Sequence, residues 1–160
     1  MITLQSKVDL DGISAEAITK FMLDCADADY RRWWPGTHLA FHTIRRAPGE
    51  AGSLVHFDEY VGKRRLKFRA VITAAEPGRR IVWQMKALVR LPAWLILEFE
   101  PRPGGVHLVH TLRAGYAGFG RILDPLLRLY LSRDFERELD RHAHAEFPML
   151  CDLLLKEKSQ

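Results

Sequence analysis

A chain of 160 residues with 48% hydrophobic and 28% charged side chains has the size and composition of a single globular domain, residues 1–160, with one sizeable core. Its 24 Lys and Arg are interleaved with 20 Asp and Glu, so the net charge of +4 describes a mildly basic surface and not the concentrated basic stripe that nucleic-acid binding calls for. The longest apolar run, Leu91 to Leu97, contains Pro92 and is far too short to span a bilayer, and Ile2-Thr3-Leu4-Gln5 alternates where a secretory signal would not; no nucleic-acid partner, no membrane insertion and a cytoplasmic location are expected.

Ile2 to Leu10 reads as a strand closed by the turn residues Asp11-Gly12. Ser14 is a helix N-cap for Ala15 to Leu23, and a second short helix is predicted from Ala26 to Trp34, stopped by Pro35-Gly36. From Leu39 to Tyr116 the periodicity becomes two. Turn signals at Pro48-Gly49, Gly62-Lys63, Pro77-Gly78, Leu91-Pro92 and Pro103-Gly104-Gly105 divide this stretch into six antiparallel strands. The cations Lys63, Arg64, Arg65, Lys67 and Arg69 then fall on a hairpin turn and on the outward face of one strand. From about Gly120 the apolar residues take helical spacing, with Asp124-Pro125 marking a start or restart and Pro148 expected to kink or break the helix. Cys25 and Cys151 have no metal-site spacing between them and read as two reduced thiols.

Strand, two short helices, six strands and a long C-terminal helix is the order of the α+β helix-grip fold. The whole chain resembles the Bet v 1-like, START-type (SRPBCC) superfamily, which includes polyketide cyclases and lipid-transfer proteins. A bent antiparallel sheet of about seven strands wrapped on one long helix leaves a concave space that side chains do not fill completely, so a cavity is expected.

Alternation assigns the faces of the strands. Leu66, Phe68, Ala70 and Ile72 point inward, as do Ile81, Trp83, Met85 and Ala87. Val55, Phe57, Glu59 and Val61 share a third inward set, and Val106, Leu108, His110, Leu112, Ala114 and Tyr116 a fourth. Glu59 is the anomaly, because a carboxylate on an apolar face is costly unless it is paired or metal-bound. His110 and Tyr116 become polar groups inside an apolar pocket, where a single structural hydrogen bond is the ordinary role for each.

His142 and Glu146 are four residues apart on the predicted helix and project from one face, a spacing that suits a shared ion and is also common on solvated helices. Tyr30-Arg31-Arg32-Trp33-Trp34-Pro35-Gly36-Thr37-His38 resembles the Tyr-x-x-Trp-x-Pro-x-x-His motif of the diacetylphloroglucinol hydrolase family, which cleaves a carbon–carbon bond of acylated phenols with zinc on a Bet v 1-like domain. The resemblance implies a metal set of His38, Glu59, His142 and Glu146, for zinc or another divalent ion. It also implies that Tyr30 contacts a phenolic substrate. Tyr30, His110 and Tyr116 are the candidates for hydrogen bonding and proton delivery, and Trp34, Phe57, Phe68, Trp83 and Met85 for the walls that hold a small hydrophobic or aromatic molecule.

Two other functions fit the same residues. One is a non-enzymatic carrier or sensor whose cavity holds a lipid or polyketide. The other is a metal-free polyketide cyclase or dehydratase driven by His110, Tyr116 and pocket shape. Under any of these functions the chain is expected to be a monomer or a homodimer.

Overall fold

The computed structural model describes residues 1–116, 118 and 124–159. Among them, strand β1 (Ile2–Asp11) is followed by helices α1 (Ala15–Asp24) and α2 (Asp27–Trp33). Strands β2 (His38–Arg45), β3 (Leu54–Val61), β4 (Arg64–Glu76), β5 (Arg80–Lys86), β6 (Arg90–Arg102) and β7 (Gly105–Ala114) come next, then helices α3 (Asp124–Tyr130) and α4 (Arg133–Lys158). The predicted helical stretch before Asp124, including Ile122 and Leu123, lies outside the described residues.

The seven strands form one antiparallel sheet in the order β1-β7-β6-β5-β4-β3-β2, the helix-grip architecture expected from the element order. β1 alternates strictly between buried and exposed residues, as a strand with one face on the core must. α1 begins where Ser14 accepts a hydrogen bond from the Ala17 amide. The Asp29 carboxylate accepts from the Ala26 amide at the start of α2. α4 lies across the concave face and buries Phe135, Leu139, His142, Ala143, Glu146, Phe147, Leu150 and Cys151. These recur every three or four residues, so one stripe of the helix meets the sheet.

Three local expectations are corrected. Pro148 does not break α4, which runs through it for 26 residues. Buried Phe147 on one side and Leu150 and Cys151 on the other hold both halves against the core, and this packing outweighs the one hydrogen bond the proline lacks. The helical stretch does break, however, between Tyr130 and Arg133, where Ser132 accepts from the Phe135 amide and caps α4. The turn placed at Leu91-Pro92 lies earlier, at residues 87–89, so Ala87 is exposed and not inward. Pro92 sits within β6 but before its ladder with β7 begins at Ala93, and opposite the register shift in β5 between Gln84 and Lys86. It therefore occupies a place where no ladder amide is demanded of it. Cys25 and Cys151 are both free and buried.

Candidate metal centre

α2, β2, β3 and α4 each bring one side chain or more to a single point under the sheet. His38 is the first residue of β2, immediately after the turn that ends α2; its amide donates to the Trp34 carbonyl at 3.0 Å. Simple alternation would put His38 on the face of Ala40 and His42. The register shift between His38 and Ala40 adds a residue to this strand, and His38 turns inward to the side of Phe41. Glu59 is the pairing partner of His38 on β3. His142 and Glu146 enter from the buried stripe of α4.

The four donor atoms lie within 4.8 Å of one another. His38 Nε2 stands 3.2 Å from Glu146 Oε1 and 3.7 Å from Glu59 Oε2. His142 Nε2 stands 3.6 Å from Glu146 Oε2 and 3.7 Å from Glu59 Oε2. Two bonds of about 2.0–2.1 Å to one tetrahedral ion put their donor atoms roughly 3.3 Å apart, so the observed spacings suit a shared ion better than direct hydrogen bonds. The imidazoles agree with this. Both ring nitrogens of His38 and Nε2 of His142 are buried without a hydrogen-bond partner, a costly state unless something occupies the space between them and the carboxylates.

Aromatic rings hold the imidazoles in place. Tyr30 stacks on His38 with centroids 3.9 Å apart and planes 4° from parallel, Trp33 meets the same ring edge-on at 4.6 Å, and Trp34 stacks on His142 at 4.7 Å. Trp33 also donates its Nε1–H to the Glu146 carbonyl at 2.7 Å, tying α2 to α4 beside the cluster. The Tyr30 hydroxyl donates to Glu59 Oε2 at 2.6 Å. Burial, reinforced by the charges of Glu59 and Glu146, pushes the Tyr30 phenol well above its ordinary value, so it stays protonated as a donor. Burial by itself would raise the Glu59 carboxyl, but the facing His142 and His38 imidazoles and the Tyr30 donor outweigh it and hold the group below its usual range. Burial works against a charged His142 in the same way, yet Glu59 and Glu146 raise it above the usual imidazole value.

Beyond the cluster extends a mostly apolar hollow of about 50 Å³ that includes Phe57, Phe68, Met85, Leu97 and Phe147 in its wall. That is room for a few waters or for the reacting end of a ligand. Glu59, His142 and Glu146 all reach it, and so does His110, whose buried Nδ1 has no partner. Burial pushes His110 below the usual imidazole value in spite of the nearby Glu146 and Glu59 carboxylates, and favours its neutral form.

Three expected site residues stand elsewhere. Trp34 lines a separate surface hollow with Thr37, Tyr60 and Arg141, on the outer side of His142. Trp83 is packed into the core, its ring perpendicular to Phe57 at 5.8 Å, and it is Met85, one inward position further along β5, that reaches the hollow. Tyr116 is not part of the cavity wall. β7 ends at Ala114, and Gly115 with φ of 148° breaks the alternation that would have turned Tyr116 inward. Sequence reasoning missed Trp33 and the wall residues Leu97, Leu139 and Phe147. Leu139 and Phe147 were legible as neighbours of His142 and Glu146 on one helical stripe, and Leu97 by alternation along β6.

A family model described as polyketide cyclase / dehydrase and lipid transport matches residues 1–145. No curated protein matches the chain. Among solved structures, TTHA0849 from Thermus thermophilus superposes with a TM-score of 0.63 at 11% identity, covering 98% of this chain and 99% of the other. Ara h 8.0201 gives 0.62 at 10% identity, with 97% and 98% covered. A START superfamily protein from Mycobacterium smegmatis gives 0.54 at 15% identity, with 88% and 95% covered. At these identities the likeness is one of fold.

Proposed function

The chain belongs to the polyketide cyclase / dehydrase and lipid transport family, and we propose that within it this protein is a zinc-dependent, or other divalent-metal-dependent, hydrolase of a small aromatic or polyketide-like ketone. The observation that carries this reading is the convergence of His38, Glu59, His142 and Glu146 with three imidazole nitrogens left unpartnered in a buried site. Those four residues would hold the ion. When bound, it supplies Lewis-acid polarisation of a carbonyl oxygen and a water made acidic enough to attack at neutral pH.

The chain's own groups divide the remaining work. Tyr30 fixes one oxygen of Glu59 and stacks on His38, which makes it a positioning residue for the cluster. Neutral His110 presents an unpartnered nitrogen to the hollow, where it can hydrogen-bond a substrate oxygen or pass a proton. Phe57, Phe68 and Met85 exclude water and hold an apolar ring. In the proposed reaction water adds to the ketone carbon, the bond from that carbon to the ring breaks, and the ring carbon takes a proton. The products are a carboxylic acid and the deacylated ring.

The second reading is a carrier of a hydrophobic molecule, favoured by the apolar wall of the hollow and by the family's description. The free volume of about 50 Å³ weighs against carriage of a whole lipid chain. Metal content after purification without a polyhistidine tag separates the two. The hydrolase reading expects one ion per chain in the wild type and its loss in His142→Ala and Glu59→Ala. Metal content that is far below one and indifferent to both substitutions would sink it and favour the carrier or a metal-free cyclase.

A further inference from the structure

At one end of the sheet lie the β3–β4 turn at Gly62-Lys63 and the β5–β6 turn at residues 87–89; β4 runs on past its last pair with β5, Arg69 with Lys86, to reach the first of them. α3 joins them there: Arg64 donates to the Tyr130 carbonyl at 2.7 Å. This end carries the most exposed apolar side chains of the described residues. Leu88 is 98% exposed and Val89 68%, with Leu129 at 77% and Tyr130 at 56%. Single exposed apolar residues need no explanation, but Leu88 and Val89 are adjacent on one turn and flanked by Lys86 and Arg90, which pair across it. Lys63, Lys86, Arg90 and Arg128 have no carboxylate partner among the described residues, whereas the acids nearby are already engaged: Asp58 by Arg65 and Lys67, Glu138 by Arg141. Met85, Val61 and Leu66 at this same end belong to the wall of the inner hollow.

We propose that this end of the sheet docks on an anionic lipid surface, with Leu88 and Val89 entering the acyl boundary and Lys63, Lys86, Arg90 and Arg128 meeting the headgroups. An apolar tip flanked by cations matches the layering of such an interface, where each cation near the surface strengthens binding roughly fivefold. The contact is peripheral, and no helix of the described residues is long and apolar enough to cross a membrane. A second copy of the chain is the poorer occupant. It would bring like charges together, and a few side chains fall well short of the ~800 Å² per partner that a stable dimer buries. Docking here would set the apolar hollow against a reservoir of apolar ligands, whether or not the cluster holds a metal.

Co-sedimentation with vesicles of pure phosphatidylcholine and of phosphatidylcholine mixed with phosphatidylglycerol tests this. The expected result is binding to the mixed vesicles only, weakened by added salt. Binding should fall about tenfold or more in Leu88→Asp/Val89→Asp and again in Lys86→Glu/Arg90→Glu. Leu88 and Val89 lie on an exposed turn and Lys86 and Arg90 at the strand ends beside it, and unchanged thermal melting of the variants excludes misfolding. Failure of the wild type to bind the mixed vesicles, or equal binding by the variants, overturns the proposal. A concentration-dependent dimer abolished by Leu88→Asp also overturns it and assigns the tip to a second copy.

Discussion

The β2–β3 pair carries two groups of histidines and carboxylates, one on each face, and they behave oppositely. On the outer face His42 Nδ1 lies 2.8 Å from Asp27 Oδ1, and His56, its pairing partner, stands 5.3 Å away ring to ring. Those groups are half-exposed, and water satisfies what the pair leaves over. On the inner face His38 and Glu59 sit with His142 and Glu146, buried and 3.2–3.7 Å apart, with three imidazole nitrogens that make no hydrogen bond. The same residue types thus form a surface pair that explains itself and a buried set whose imidazole nitrogens are left unpartnered. Burial without partners, more than the presence of histidine, singles out a functional site.

The strongest way to break that contrast is to remove the proposed metal. Zinc at about a thousand times its Kd stabilises a binding-competent fold by ~4 kcal/mol, which for a chain of this size is on the order of 10 °C in melting temperature. Chelator treatment of the wild type should lower its melting point by that amount, and zinc should restore it. His38→Ala should show neither response. Identical melting of chelated and zinc-loaded wild type would leave the inner cluster as an unoccupied network.

A smaller effect is expected where the cluster is touched from behind. Tyr30→Phe keeps the stack on His38 but removes the donor to Glu59 Oε2. Partners of metal-holding groups are worth about 10–100-fold in affinity, so zinc binding measured by competition with a chelating dye should weaken within that range while stoichiometry stays at one. Unchanged affinity would show that Glu59 is oriented by other contacts.

The metal-free cluster should also leave a signature in pH. Glu59 is held below its ordinary 4.5, so it contributes stability above 4.5 that is lost as pH falls through its lower folded value. His142 is held above its ordinary 6.5, so its contribution is complete below 6.5 and lost as pH rises through the higher folded value. The pair therefore favours the metal-free fold most between 4.5 and 6.5. With zinc bound the imidazole is engaged without its extra proton, and the decline above 6.5 should vanish. Melting curves across this range, with and without chelator, read the difference, and parallel profiles would argue against occupancy at His142.

How far the chain announces this arrangement differs from element to element. Strands, turns and the two short helices follow period and punctuation, because Gly62, Pro77 and Gly104 mark real turns. Glu59 stood out as a carboxylate on an apolar face, and the spacing of His142 and Glu146 put them on one side of a helix. The inward turn of His38 was not legible, since it depends on a register shift created by pairing with β3. Trp33 was hidden for the same kind of reason: its bond to the Glu146 carbonyl joins residues 113 apart. Pro148 misled because local backbone chemistry was weighed without the packing on both sides of it. Pairing register and tertiary packing are long-range properties, and period and composition report them only indirectly.

The outer face supplies the smallest expected change and the cleanest control. His42 and Asp27 have side chains 41% and 37% exposed, and pairs of that kind are worth about 0–1 kcal/mol. His42→Ala should therefore shift the melting point by less than about 4 °C and leave zinc content untouched. His56 adds a direction. Partial burial, and after it the neighbouring His42 and Lys67, hold it below the ordinary 6.5. Between 6.5 and that lower folded value the unfolded chain binds more protons than the folded one, so stability declines as pH falls across this range and levels off beneath it. His56→Gln should flatten that acid-side decline without altering the profile above 6.5, where His142 governs. If His42→Ala or His56→Gln lowered zinc content as His38→Ala is expected to, the two faces of the β2–β3 pair would have to be read as one site, and exposure would no longer separate them.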